Sequence, residues 1–240
     1  MSKPLLILFA KAPEGNQVKT RLQSVLTPAQ RGALCKAFIQ DTLDRTSTLP
    51  VRQVIACAPD VRHPFFQACR KQYSLQLFTQ TGKTLGDRMQ HAFSWGFRQG
   101  AQKVILIGAD TPTLSPVLIQ AALTALDQAP IVIGPSLDGG YYLIGATAKS
   151  FHVLNNLFSG IRWGTQTVLL RTLRKLQRIG HRLLPFWYDI DRPTDLDFLS
   201  IHIASLKQQG EPIPKRVLQF LRSLSRAHTP SHAPLQQRDA

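Results

Sequence analysis

The chain is short of acid. Against 29 lysines and arginines it carries only 14 aspartates and glutamates, for a formal net charge of +15. Its three cysteines, Cys35, Cys57 and Cys69, are odd in number and form no CxxC pair, which argues against a disulfide framework or a cysteine-based zinc site. They lie in apolar periodic segments and are expected to be buried, reduced thiols of a cytoplasmic protein. No apolar run approaches the ~20 residues of a membrane span, since Leu5 to Ala10 is only a strand's worth. That run is also too short for the core of a signal peptide, and Lys11 follows it without a small-residue cleavage site. Among the histidines only His228 and His232 pair closely in the late region, with no cysteine partner, which speaks against histidine-based metal chemistry. There is no internal repeat.

The basic excess raises the question of nucleic acid or an anionic surface. Its distribution argues otherwise. Arg171, Arg174, Arg178 and Arg182 recur at three- and four-residue steps opposite Leu169, Leu173, Leu176 and Ile179, the pattern of a solvated helix face. Lys215, Arg216, Arg222, Arg226 and Arg238 fall in a polar stretch after Gly210. No nucleic-acid-binding motif accompanies them, so nucleic acid is disfavoured as a partner. The expected organisation is a catalytic domain over residues 1–210 and a basic tail over 211–240. That tail is expected to be largely disordered, above all in the proline-rich TPSHAPLQQRDA.

What is present is an alternation of short aliphatic strands and helical segments, the signature of βαβ units on a parallel sheet in an α/β fold. Strands are expected at Leu5–Ala10, Gln53–Ala58, Leu75–Thr79 and Val104–Ile107. Helices are expected from Thr27-Pro28-Ala29-Gln30, a capping box with proline at the first helical position, to about Arg45. Others run over Pro64–Gln72, Asp87–Gln99 and Pro116–Gln128. The rhythm then changes. Asp138-Gly139-Gly140 reads as a tight turn between strands Ile131–Gly134 and Tyr141–Gly145. Thr165 is expected to cap the basic helix, Leu183–Phe186 to form a late strand, and Thr194–Lys207 a final helix.

Four constellations lie beyond strand ends, where open α/β sheets bind their ligands. Asp110 closes the run KVILIGAD after two small residues, placing a lone carboxylate where a hard cation such as Mg²⁺ or Mn²⁺ could share phosphate oxygens. The loop FAKAPEGNQVKTRL carries Lys11, Gly15, Lys19 and Arg21, cations able to neutralise a diphosphate. DGGYY offers Asp138, two glycines that let a ligand approach the backbone, and the aromatic Tyr141 and Tyr142. Asp189 and Asp191 alternate about Ile190, so both face one side of an extended segment.

These segments, with the Gly86-Asp87-Arg88-Met89 tetrad and the Trp163-Gly164-Thr165 triplet, occur in an order that resembles one branch of the GT-A-fold transferases. This branch is known as radical-SAM- or selenodomain-associated transferases, or arsenosugar-type glycosyltransferases. The likeness spans about residues 4 to 200, and is more distant to guanylyltransferases of molybdenum cofactor and phospholactate metabolism. It implies a three-layer nucleotide-diphospho-sugar transferase fold, with Mg²⁺ or Mn²⁺ held by Asp110, Asp191 and the nearby Asp189. It implies phosphate contacts from Lys11, Gly15, Lys19, Arg21 and Arg88. Gly139, Gly140, Tyr141 and Trp163 would border the acceptor, with Asp138 as candidate base.

Sugar nucleotidyltransferases carry several glycines in the first loop to cradle a triphosphate. Here there is one, Gly15, with cations in place of the rest. The expected activity is therefore glycosyl transfer from a nucleotide-diphosphate sugar to a small-molecule acceptor. Condensation of an NTP with a phosphorylated acceptor is the alternative. A non-catalytic, nucleic-acid-associated protein is the third reading.

Overall fold

The computed structural model describes residues 3–227. Seven strands form one sheet in the order β3-β2-β1-β4-β6-β5-β7. They are β1 (Leu5–Lys11), β2 (Arg52–Ala58), β3 (Gln76–Thr79), β4 (Lys103–Gly108), β5 (Ile131–Pro135), β6 (Tyr141–Thr147) and β7 (His181–Leu183). All neighbours are parallel except β6, which runs antiparallel to both β4 and β5. The aliphatic runs serve both faces, as their lack of alternation requires. In β4, Ile105 and Ile107 enter the core on one face, while Val104 and Leu106 enter the core on the other.

Helices cover both faces, giving three layers. On one side α1 (Pro28–Thr46), α2 (Pro64–Tyr73) and α4 (Pro116–Ala125) bury Ile39, Phe66 and Ile119. On the other, α3 (Leu85–Arg98), α5 (Phe151–Leu157) and α6 (Val168–Lys175) bury Phe93, Leu154 and Leu176 close to α6's end. A third core joins α1 to α7 (Pro193–Gln208) and α8 (Lys215–Ala227) through Phe38, Leu199 and Val217.

Caps fix the helix starts. Thr27 accepts from the Gln30 backbone at 3.3 Å while the Gln30 side chain accepts from Thr27 at 2.8 Å, and Pro28 follows. Thr84 and Asp87 form the same reciprocal pair, so α3 begins at Leu85 instead of Asp87.

Several expectations are corrected. Thr165 does not cap α6, which starts at Val168; its hydroxyl donates instead to the Arg162 carbonyl at 2.8 Å. The basic helix stops at Lys175, leaving Arg178 in a turn and Arg182 on β7. Strand β7 lies earlier than Leu183–Phe186, because Ile131, Val132 and Ile133 pair with His181, Arg182 and Leu183. Residues 215–227, assigned from composition to a disordered tail, form α8. Its apolar Val217 is fully buried, and the buried Asp41 side chain accepts from the Arg216 and Val217 backbone at 3.1 and 2.9 Å. The TPSHAPLQQRDA stretch, with His228, lies outside the described residues. No described helix is long and apolar enough to cross a membrane.

Candidate functional site

The carboxyl ends of β1 and β4 open into a cleft of about 210 Å³ whose lining includes Lys11, Val18, Lys19, Cys35, Phe38, Asp110 and Asp191. Whole small-molecule sites usually run to about 300–1,000 Å³. This volume suits the charged part of a larger ligand.

The backbone assembles the acidic side. Asp110 follows β4, and its carbonyl accepts from the Ile190 backbone at 3.0 Å, which brings Asp191 into the same cleft across 80 positions of sequence, while Asp189 turns to Ser136. Asp191 is not the cap of α7. Asp195 takes that task, accepting from the backbone of Asp191 at 2.8 Å and Arg192 at 2.6 Å, and this leaves the Asp191 carboxylate to the cleft.

Lys19 lies at the centre. Its ammonium is 2.6 Å from Asp110 and 2.9 Å from Asp191, and its side chain is only 4% exposed. Burial alone would lower the ammonium's pKa, but the two carboxylates outweigh burial and hold it above its usual value. Beneath it, the Phe38 ring lies 5.7 Å away. Arg21, well exposed, binds the other Asp191 oxygen at 3.2 Å. Lys11 lines the same cleft and donates to the Gln17 carbonyl at 3.4 Å. The first-strand loop therefore faces the acidic side, with Lys19 in direct contact with Asp110 and Asp191 and no gap between them.

Gly15 has a different reason to be glycine. A Cβ there would stand 1.6 Å from the Pro28 carbonyl oxygen, so its bareness lets the loop lie against the start of α1. The sequence reading missed Arg31, which fixes this contact. Buried on α1, it donates to the carbonyls of Gly15 and Leu26, both at 3.0 Å. An arginine inside an apolar helical stretch was the available signal. Cys35 and Phe38, also missed, read as ordinary core residues of the same helix.

Asp189 is half-buried and accepts from the Ser136 hydroxyl at 3.3 Å. Burial first, then the charges of Asp138 and Asp191, push its pKa up to about 6. Asp138 thus belongs to the same electrostatic neighbourhood, with one oxygen accepting from the Gly140 backbone at 2.8 Å. Gly139 has φ 88°, and a Cβ on it would meet the Gln166 carbonyl oxygen at 2.2 Å, so the turn requires glycine. Gly140 packs beside the Asp138 carboxylate.

Other expected members face elsewhere. Tyr141 packs edge-on to Trp163 against the core, and its hydroxyl is buried, which raises its pKa. Tyr142 is buried and donates to the Pro185 carbonyl at 3.1 Å. Trp163 leans on Phe158 and Gly86; a Cβ on Gly86 would lie 2.9 Å from the Trp163 ring. Arg88 folds back to the Gly82 carbonyl at 3.2 Å. The Gly-Asp-Arg-Met tetrad thus has packing and capping reasons for its glycine and aspartate.

No group of three or more His, Cys, Asp or Glu side chains converges among the described residues. Two carboxylates do, already gathered on a cation, the Lys19 ammonium. Hard oxygen donors in that number fit Mg²⁺ or Mn²⁺, which are commonly held by one or two carboxylates plus ligand phosphates.

Solved structures resemble the chain over most of its length. One is a protein from Desulfovibrio desulfuricans G20, provisionally described as a nucleotide-diphospho-sugar transferase. It is 32% identical over 95% of this chain and 98% of its own, with a TM-score of 0.81. A CMP:2-keto-3-deoxy-manno-octonic acid synthetase, solved with CTP, is 14% identical over 85% and 99%, with a TM-score of 0.54. Glucosyl-3-phosphoglycerate synthase from Mycobacterium tuberculosis, solved with Mn²⁺, UDP and glucosyl-3-phosphoglycerate, is 11% identical over 88% and 81%, at 0.51. At such low identity the last two speak for fold alone, and the fold is that of the nucleotide-diphospho-sugar transferases, GT-A-like. None of the curated proteins matches the sequence. With its family model matching residues 42–165, the chain belongs to the family described as uncharacterized protein conserved in bacteria, DUF2064.

Proposed function

We propose that the chain transfers a glycosyl group from a nucleotide-diphosphate sugar to a small-molecule acceptor, as a member of the radical-SAM- or selenodomain-associated branch of GT-A transferases. The observation that carries this reading is the meeting of Lys19 and Arg21 with Asp110 and Asp191 at one sheet edge. Cations from the first loop suit the donor's diphosphate, and the opposed carboxylates suit a divalent ion shared with it. When bound, Mg²⁺ or Mn²⁺ on Asp110 and Asp191 would neutralise charge on the leaving diphosphate.

The acceptor hydroxyl oxygen would attack the sugar's anomeric carbon while the bond to the diphosphate oxygen breaks. The nucleoside diphosphate leaves with that electron pair, and Asp138 would take the hydroxyl proton. The loop favours a diphosphate over a triphosphate. Its one glycine, Gly15, is occupied in packing against α1 and supplies no glycine-rich cradle. Nucleotidyl transfer with pyrophosphate release remains the second reading, supported by the shared fold of cytidylyl-transferring enzymes.

A thermal-shift panel of nucleoside diphosphates, triphosphates and nucleotide sugars, each with and without Mn²⁺, tests both readings. A ligand at 100 times its Kd adds about 2.7 kcal/mol. Stabilisation by nucleotide sugars, followed by release of nucleoside diphosphate without pyrophosphate, is expected. Pyrophosphate release from an NTP would promote the second reading. Salt-sensitive RNA binding without nucleotide binding would overturn both.

A further inference from the structure

Lys19 is tucked under the carboxylates that a divalent cation would need. Its side chain is 4% exposed, whereas those of Asp110 and Asp191 are 52% and 34% exposed, so the pair lies between the ammonium and solvent. The residue holds this position with φ 48° and ψ 40°, left-handed angles that non-glycine residues adopt only when the surroundings enforce them. A tethered ammonium and a divalent ion compete for the same two carboxylates. Metal–oxygen distances are near 2.1 Å, and two cations sharing those oxygens repel at short range in a half-buried site. The other loop cations at the cleft, Lys11 and Arg21, offer a displaced ammonium no attraction. A bound anion does.

We infer that Lys19 is the resident cation of this cleft, holding Asp110 and Asp191 together until a divalent cation replaces it and sends its ammonium toward the ligand's phosphates. This deepens the transferase reading and rests on it for the identity of the incoming ligand. The consequence is coupling. A divalent ion alone binds weakly because it must evict Lys19, and a phosphate-bearing ligand that attracts Lys19 vacates the pair. Each therefore raises the other's affinity by the same factor.

The test uses the full chain with Mn²⁺ as probe, its free fraction read by electron paramagnetic resonance. Lys19→Met removes the competing charge but keeps an apolar stem over Phe38. It is expected to bind Mn²⁺ about tenfold tighter than wild type, within the usual 5–150-fold range of coupling. Asp110→Asn should lose Mn²⁺ binding in either background. Affinity equal to or weaker than wild type in Lys19→Met overturns the inference.

Should that variant not fold, wild type reports on itself. Acetylation of Lys19 by an N-hydroxysuccinimide ester, followed by mass spectrometry, should be slow without metal and several-fold faster with Mn²⁺, while Lys11 stays constant. A Lys19 rate that Mn²⁺ leaves unchanged overturns the exchange. So does failure of wild type and Lys19→Met alike to bind Mn²⁺. In that case the transferase reading is judged separately, by nucleotide-sugar stabilisation in the thermal-shift panel.

Discussion

Replacing Arg31 tests whether the basic loop is built or merely present. Arg31 is 6% exposed, and its bonds to the Gly15 and Leu26 carbonyls tie both ends of the loop to α1. Hydrogen bonds to a charged group contribute about 1.5–3 kcal/mol each, and a carbonyl left buried without a partner costs about 1–3 kcal/mol. Arg31→Met loses both bonds but also removes the desolvation cost of a buried charge, so about 2–4 kcal/mol of net stability should disappear. At roughly 2–4 °C per kcal/mol for a chain of this size, Tm should fall by about 5–15 °C. Arg31→Lys reaches at most one carbonyl and should recover less than half the loss. Circular dichroism melts give the stability. The same variants, measured well below Tm, should bind nucleotide sugars more weakly, because Lys19 is held from this loop. A Met variant melting within about 1 °C of wild type, or a full rescue by lysine, would refute the assignment.

Three further outcomes follow from local geometry. Gly86→Ala places a methyl group 2.9 Å from both Trp163 and Phe158 and should cost about 1–3 kcal/mol, seen as a lower urea midpoint that Trp163→Phe partly restores. Asp195→Ala removes the acceptor shared by the Asp191 and Arg192 backbones and should cost about 1 kcal/mol, with the weakened Asp191 placement visible as poorer Mn²⁺ binding. Burial first, then Arg98, lowers the pKa of His91 below its usual value. The fold therefore binds fewer protons there than the unfolded chain. Its contribution is complete above about pH 6.5 and is lost as pH falls through that value toward the folded pKa. Tm of wild type should accordingly drop relative to His91→Gln between about pH 7.5 and pH 5, and parallel curves would refute this.

Much of the fold was legible because burial on two faces writes itself into sequence as unbroken aliphatic runs. Val104–Ile107 announced a central strand, and the DGG turn announced the antiparallel return of β6. Asp110 was marked by its place after such a run. What periodicity cannot carry is which distant side chains meet. Nothing local says that residue 19 lies under residues 110 and 191, or that Asp195 frees Asp191 from capping duty. Composition also misled: a basic, polar stretch read as a tail, yet the apolar face of α8 was enough to dock it on α1. The two glycines of the DGG turn were noticed for ligand approach. At Gly15 and Gly86 the demand comes from the protein's own atoms.

The ion pair between Lys19 and Asp191 spans 172 positions of chain. Synthesis proceeds from the N-terminus, so strands β1 to β4 and their helices emerge and can condense well before residue 191 exists. A nascent or truncated chain could therefore own most of the sheet while possessing only half of its cleft. In that interval Asp110 and Lys19 have each other but lack the wall that Ile190 and its two aspartates bring. The site is thus closed only once the segment about Ile190 has been made and has joined the end of β4.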